Sequence, residues 1–235
     1  MIALIDYKAG NLTSVKKALA AIGADVVVPD SPAQLREAAG VIVPGVGHFA
    51  ATRALDSPWV DVIRTLVAEG RPLLGICLGM QWLFDGSSEE PNVPGLGLLA
   101  GRCYRLQRRI DGERLRPHRA EDMPIRGEVS ASAPGGGGTP PSVIKVPHVG
   151  WNSLDRQRHS VIAAGVADGA QVYFTHSYVA PITSDTVAST EHGEPFAAIV
   201  ERGHVSGAQF HPEKSGDVGL QILRNFLRTV QERTT

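Results

Sequence analysis

The sequence predicts a doubly wound α/β fold, a mostly parallel sheet with helices on both faces. Three observations carry that expectation. Short apolar runs alternate with amphipathic segments through the first third of the chain. The runs are apolar on both sides, as strands covered by helices on both faces must be. Glycine-rich turns follow two of them, at the strand ends where such sheets hold their ligands.

Ile2 to Tyr7 reads as the first strand. Asn11 follows as an N-cap, and Leu12, Val15, Leu19 and Ile22 then recur at helical spacing up to a stop at Gly23. Val26 to Val28 gives a second strand, and Ser31-Pro32 opens a second helix. Val41 to Val43 is a buried strand that runs out into Pro44-Gly45-Val46-Gly47. Ser57-Pro58 starts a helix carrying Trp59, Val60, Ile63, Leu66 and Val67, and Pro72 to Ile76 is a continuous apolar run with Cys77 at its end. Later, strand-like runs return at Val143 to Val146, Val172 to Phe174, Val187 to Thr190, Ala197 to Val200 and Val205 to Phe210. A last helix spans about Val218 to Val230. Between about 107 and 142, Arg, Asp, Glu, Pro and Gly dominate and apolar residues are sparse. That stretch reads as a flexible surface insertion within a single domain of residues 1–235.

Charge narrows the function classes. Lys and Arg number 23 against 24 Asp and Glu, so no net positive field gathers nucleic acid or an anionic membrane. Asp6 and Lys8 fall where a signal peptide needs an apolar core, and no apolar run approaches membrane-spanning length. The expectation is a cytoplasmic protein whose two cysteines, Cys77 and Cys103, are free thiols.

Cys77 has an unusual neighbourhood. In Gly75-Ile76-Cys77-Leu78-Gly79 it is flanked by glycine two residues before and two after, between an apolar strand and a helix. This is the cysteine form of the strained turn that lifts a nucleophile out of a sheet. It also sets the sulfur at a helix N-terminus, where peptide dipoles favour the thiolate. A buried core cysteine is the plain alternative; Cys103 is read that way.

A thiolate nucleophile needs a base that later protonates a leaving amine. Of eight histidines, only His211, in Gln209-Phe210-His211-Pro212-Glu213, has a suitable orienting group beside it. Pro212 pushes His211 toward extended backbone, where residues two apart share a side, so Glu213 can bind the far imidazole nitrogen. A His–Glu metal pair is the rival, but no further spaced ligand cluster completes a site, and no metal is expected. Backbone N–H groups of Val46 and Gly47, with that of Leu78, are candidates for an oxyanion hole; the alternative is an ordinary tight turn. His48 and His118 are read as surface residues.

The elbow, the glycine turn and the late His-Pro-Glu together resemble class I glutamine amidotransferases, which have a flavodoxin-like fold and a Cys, His, Glu triad in that chain order. The resemblance covers nearly the whole chain. It is closest to the branch that works in histidine biosynthesis, through Tyr7-Lys8-Ala9-Gly10-Asn11, Pro44 to Phe49, Cys77 to Gln81, Lys145 to Asn152, Tyr173 to Tyr178 and Gln209 to Ser215. Anthranilate and GMP synthase amidotransferases share the elbow and triad but are not expected to carry the Pro-His-x-Gly-Trp-Asn block. The resemblance implies that Cys77, His211 and Glu213 hydrolyse glutamine without a cofactor and that Gln81 holds the substrate. It further implies that ammonia passes to a separate (β/α)8 cyclase subunit in a heterodimer, with Asn11, Trp151 and Lys214 toward that partner. Two rivals stand beside it. A cysteine peptidase of similar fold usually places histidine directly after the cysteine, where this chain has Leu78. A silent binding module would have lost a member of the triad, and all three are present.

Overall fold

Strand alternation decides how the central sheet is buried. In β1 (Ile2–Leu4), Ile2 and Leu4 point into one apolar layer, while Ala3, and Ile5 just after the strand, point into the other. The same division recurs in β3 (Gly40–Gly45), with Ile42 on the first side and Val41 and Val43 on the second. The structure, a computed structural model, describes residues 1–107, 109–110, 113–114 and 144–233. The insertion expected at about 107–142 lies almost wholly outside the described residues, apart from Gln107 and two short paired strands, β7 (Arg109–Ile110) and β8 (Glu113–Arg114). His118 lies outside them too.

Three helices follow the early strands. Asn11 caps α1 (Leu12–Ala21) by accepting from the Ser14 N–H at 3.3 Å, and Gly23 closes that helix at φ +74°. Then come β2 (Val26–Val27), α2 (Pro32–Leu35) capped by Ser31, and, after β3, α3 (Ser57–Ala68). β4 (Leu73–Cys77) leads into α4 (Leu78–Trp82). Two short strands, β5 (Gly86–Ser87) and β6 (Arg102–Arg105), precede the insertion. The rest of the chain supplies β9 (His148–Ser153), β10 (Asp155–Arg156), β11 (Gln171–His176), β12 (Tyr178–Val179), β13 (Thr186–Glu191), β14 (Pro195–Arg202), β15 (Val205–Ala208) and α5 (Gly216–Glu232).

The main sheet runs β10-β13-β14-β15-β4-β3-β1-β2. Its parallel part, β2-β1-β3-β4-β15, is the doubly wound arrangement predicted, with α1 and α5 against one face and α2 and α3 against the other. The other end is antiparallel, built from β15, β14, β13 and β10. β9 and β11 form a separate antiparallel ribbon in which His148 pairs with His176 and Trp151 with Tyr173.

The run expected as a strand at Val143 to Val146 is corrected. Ile144 and Lys145 have no regular structure, Val146 and Pro147 bend, and the strand is β9 instead. Proline has no N–H to give a ladder, so pairing begins only after Pro147. β9 escapes an apolar-run reading because it is half exposed, with Val149 and Trp151 facing outward.

Candidate active site

β4 ends on the nucleophile candidate. Cys77 has φ +51° and ψ −107°, and it and Lys8 are the only non-glycine residues with positive φ among those described. Such a backbone costs on the order of 1–3 kcal/mol and persists only where its surroundings dictate it. Here they do. A Cβ on Gly79 would lie 1.8 Å from the Val43 carbonyl oxygen, and one on Gly75 would lie 2.6 Å from that of Gly79. Both flanking glycines are therefore required by the close approach of α4 to β3 and β4, as the elbow reading demands. The helix after Cys77 is only five residues long, so its dipole is a weaker aid to the thiolate than the sequence implied.

His211 is held in place by its backbone. Its N–H donates to the Tyr173 carbonyl at 3.0 Å, its own carbonyl accepts from the Ser215 hydroxyl at 2.7 Å, and that hydroxyl accepts the Tyr173 N–H at 3.0 Å. His211 is extended (φ −98°, ψ 99°), but Pro212–Lys214 is a turn of 3-10 helix. The turn, and not a continuing strand, swings the Glu213 carboxylate back to 2.8 Å from the imidazole Nδ1. Both side chains are 2% exposed. The other nitrogen, Nε2, is buried without a well-formed hydrogen bond. Burial by itself lowers the His211 pKa; the charge of the neighbouring Cys77 sulfur and the Glu213 carboxylate outweigh it and push the value up to about 10.

A cavity of about 230 Å³ opens over the sulfur, lined by Gly47, Cys77, Leu78, Gln81, Glu89, Pro147, Thr175, His176, Ser177 and Tyr178. That is smaller than the ~300–1,000 Å³ of sites for drug-sized ligands and suits a single amino acid. A larger cavity of about 410 Å³ between Met1, Gly23 and Leu227 is remote from these groups and holds no nucleophile. Among the described residues, no three His, Cys, Asp or Glu side chains gather as metal ligands do.

A family model described as "Glutamine amidotransferase class-I" matches residues 3–230. The chain belongs to the class-I glutamine amidotransferases. Its similarity to curated relatives is nearly end to end. It is 39% identical to "Imidazole glycerol phosphate synthase subunit HisH" of Bacillus cytotoxicus, covering 99% of this chain and 96% of that one. It is 41% identical to the subunit of the same name in Moorella thermoacetica, covering 96% and 93%. Among solved structures, "Crystal structure of glutamine amidotransferase" superposes with a TM-score of 0.67 at 19% identity, covering 98% of this chain and all of that one. "Structure of PurLQS from Thermotoga maritima" superposes at 0.62 and 16% identity, covering 97% of each. These two support the fold alone.

Gly47, at φ +97°, and Leu78 line the cavity, but the Val46 N–H is donated to the Ala9 carbonyl at 3.2 Å. The oxyanion trio is therefore assembled only in part. Gln81 is 4% exposed, and its Nε2 donates to the Tyr178 carbonyl at 2.8 Å. Trp151 is 57% exposed; its ring meets that of Tyr173 edge to face at 6.0 Å, and the Lys214 ammonium lies 5.8 Å from the Tyr173 centroid. Asn11 is exposed at the start of α1, where Ser14 borders the Pro212–Glu213 turn. Cys103 is structural: burial raises its thiol pKa well above the ordinary value, and Sγ donates to the Gln81 carbonyl. His48 is exposed and caps the next turn by accepting the Ala50 N–H.

Three site residues were not singled out from sequence. Glu89 places a carboxylate on the cavity wall and accepts the Phe49 N–H at 2.7 Å. It sits in a loop with no periodicity to flag it. Tyr7 buries its hydroxyl beside the elbow, where burial and the Cys77 charge raise its pKa far above normal. Gln209 is fully buried, with Nε2 3.7 Å from the Cys77 sulfur. Its signal was a polar amide inside the apolar Val205 to Phe210 run.

Proposed function

We propose that this chain is the glutaminase subunit of an imidazole glycerol phosphate synthase, acting in histidine biosynthesis through Cys77, His211 and Glu213. The observation that carries the reading is the geometry of the site: His211, clamped by Glu213 at 2.8 Å, stands with the Cys77 sulfur beneath a cavity of amino-acid size. In this reading the resting pair is thiolate and imidazolium. The sulfur attacks the side-chain amide carbon of glutamine, and the His211 proton goes to the departing nitrogen, releasing ammonia. The neutral imidazole then takes a proton from water, whose oxygen cleaves the thioester. Glutamate leaves, and the ion pair is restored. Glu213 keeps the imidazole oriented and stabilises its charge throughout.

Substrate recognition follows from the lining. Glu89 is the one carboxylate among the residues that border the cavity, and it suits the α-ammonium of glutamine; Gln81 supplies an amide partner. Gly47 and Leu78 N–H groups face the developing oxyanion, joined by that of Val46 once the Gly45–Val46 peptide turns away from Ala9. The resting bond to Ala9 supports low activity until a partner resets the loop.

The partner proposed is a (β/α)8 cyclase, which uses the ammonia to form imidazole glycerol phosphate and an aminoimidazole carboxamide ribotide. The exposed Trp151 and Lys214, with the half-buried Tyr173 between them, form an aromatic and cationic patch suited to docking. Asn11 stands near it at the start of α1. No described helix is long and apolar enough to cross a membrane, and a cytoplasmic setting is proposed with the pathway. The test is glutamate release from glutamine by the chain alone and with a cognate cyclase plus its nucleotide substrate, with Cys77→Ala as control. Stimulation that the substitution abolishes is expected. Hydrolysis indifferent to the cyclase removes the pathway assignment, and no hydrolysis in either setting removes the enzyme.

A further inference from the structure

We propose that Gln209 is a positioning residue for the nucleophile, its side-chain amide donating to the Cys77 sulfur. The inference rests on the glutaminase reading of the site. Gln209 stands just beyond β15, and its own N–H is fixed to the Ala198 carbonyl at 2.9 Å. Its side chain is fully buried, and a buried amide without partners is costly, so its bonds are not optional.

Which end of the amide meets the sulfur follows from the chain of partners. The Tyr178 carbonyl can only accept, so Gln81 must present Nε2 to it, at 2.8 Å. The same Nε2 lies 3.3 Å from the Gln209 side chain, which must therefore offer its oxygen. That leaves the Gln209 Nε2, 3.7 Å from Sγ, as a donor aimed at the sulfur. Turning the amide over would oppose two NH2 groups and set a carbonyl oxygen against the thiolate. The orientation is thus dictated by a backbone carbonyl three hydrogen bonds from the nucleophile, along Tyr178, Gln81, Gln209 and Cys77.

An N–H donated to an anion is stronger than one donated to a neutral group. The donor therefore favours the thiolate over the thiol, and it does so again when the sulfur leaves the thioester. It also holds Sγ in one rotamer on a backbone that is already strained. The ionisable groups around the sulfur are His211 with Glu213, Tyr7 beside the elbow, and Glu89, His176 and Tyr178 in the cavity wall. None of them supplies this contact.

The test is the pH dependence of Cys77 alkylation by iodoacetamide, in the full chain and without glutamine, alongside glutamate release in the presence of the cyclase. Gln209→Met keeps the length and removes the donor. Gln209→Glu keeps the oxygen that Gln81 needs and replaces the donor with a second oxygen. The midpoint of alkylation is expected to move to higher pH by about one unit or more in Gln209→Met and further in Gln209→Glu. Turnover should fall ~10- to 100-fold, the loss expected for a hydrogen bond to a charged group, with KM for glutamine little changed. Near-ultraviolet circular dichroism identifies the folded variants. A folded variant whose alkylation profile superimposes on that of the parent overturns the proposal. If the profile shifts but the parent releases no glutamate, Gln209 keeps its role toward the thiol and the glutaminase reading is what fails.

Discussion

The backbone N–H of Val46 is bonded to the carbonyl of Ala9 at 3.2 Å, which ties the turn after β3 to the loop after β1. As long as that bond stands, one candidate oxyanion donor is spent elsewhere. The Val46 amide should exchange slowly with solvent deuterium in the free chain. Its protection should change when the cyclase and its nucleotide are added, as followed by amide exchange resolved to the residue. Unchanged protection together with full stimulation of glutaminase activity would remove the loop from the switch.

Gly47→Ala tests the same loop by strain. A Cβ at Gly47 meets nothing within 4 Å, but φ is +97°, so the cost is conformational, about 1–2 kcal/mol. Thermal stability should fall by that modest amount, while glutamine turnover at saturation should fall about tenfold or more because the loop relaxes away from its working geometry.

Gly79→Ala should behave differently. Its Cβ would enter the Val43 carbonyl at 1.8 Å, and backbone cannot yield as a flexible side chain does. A loss of ~3 kcal/mol or more is expected, read as a large drop in melting temperature or as insoluble protein. Gly203→Ala, at φ +60° with open space around it, is the control, expected to cost only about 1 kcal/mol.

The charge on His211 depends on Cys77. In Cys77→Ala, the sulfur's contribution disappears and burial opposes Glu213 alone, so the imidazole titration seen by NMR should fall below the value of about 10 in the parent. For His211 in the parent, the folded value lies above the unfolded one of about 6.5. Its contribution to stability is therefore complete below pH 6.5 and is lost as pH rises through 10.

His148 and His176 titrate the other way. Burial, and then the neighbouring histidines, lower His148 to about 4 and His176 well below its usual value. The unfolded chain binds more protons than the folded one below pH 6.5, so stability falls from pH 6.5 toward pH 4. The melting temperature should decline over that window, and less steeply in His148→Asn.

Much of this was legible where local chemistry and global fold agree. The Asn11 cap, the Gly23 stop, the Ser31-Pro32 start and the two glycines around Cys77 each announce a backbone requirement that the structure meets. The Cys77, His211, Glu213 grouping was legible because an uncommon residue type stood in an uncommon context. The shortest strands were not: β5, β10 and β12 are two residues long, too short for any period to register. Glu89 and Gln209 were missed because their meaning comes from what folding brings near them, Phe49 in one case and Cys77 in the other. The link from His211 to Glu213 was expected on extended geometry, but a 3-10 turn delivers it. The proline that suggested the first also begins the second.

The clamp on His211 has a mechanical meaning. Tyr173 grips the histidine's turn through its backbone on both sides, by its carbonyl and by way of Ser215, while its ring lies among Trp151 and Lys214 on the outer surface. The ring and the imidazole are thus joined through backbone and three hydrogen bonds, two of them made by the Ser215 hydroxyl. A partner that seats on the outer face therefore touches the same residue that anchors the base, and the docking surface and the catalytic turn share one strand.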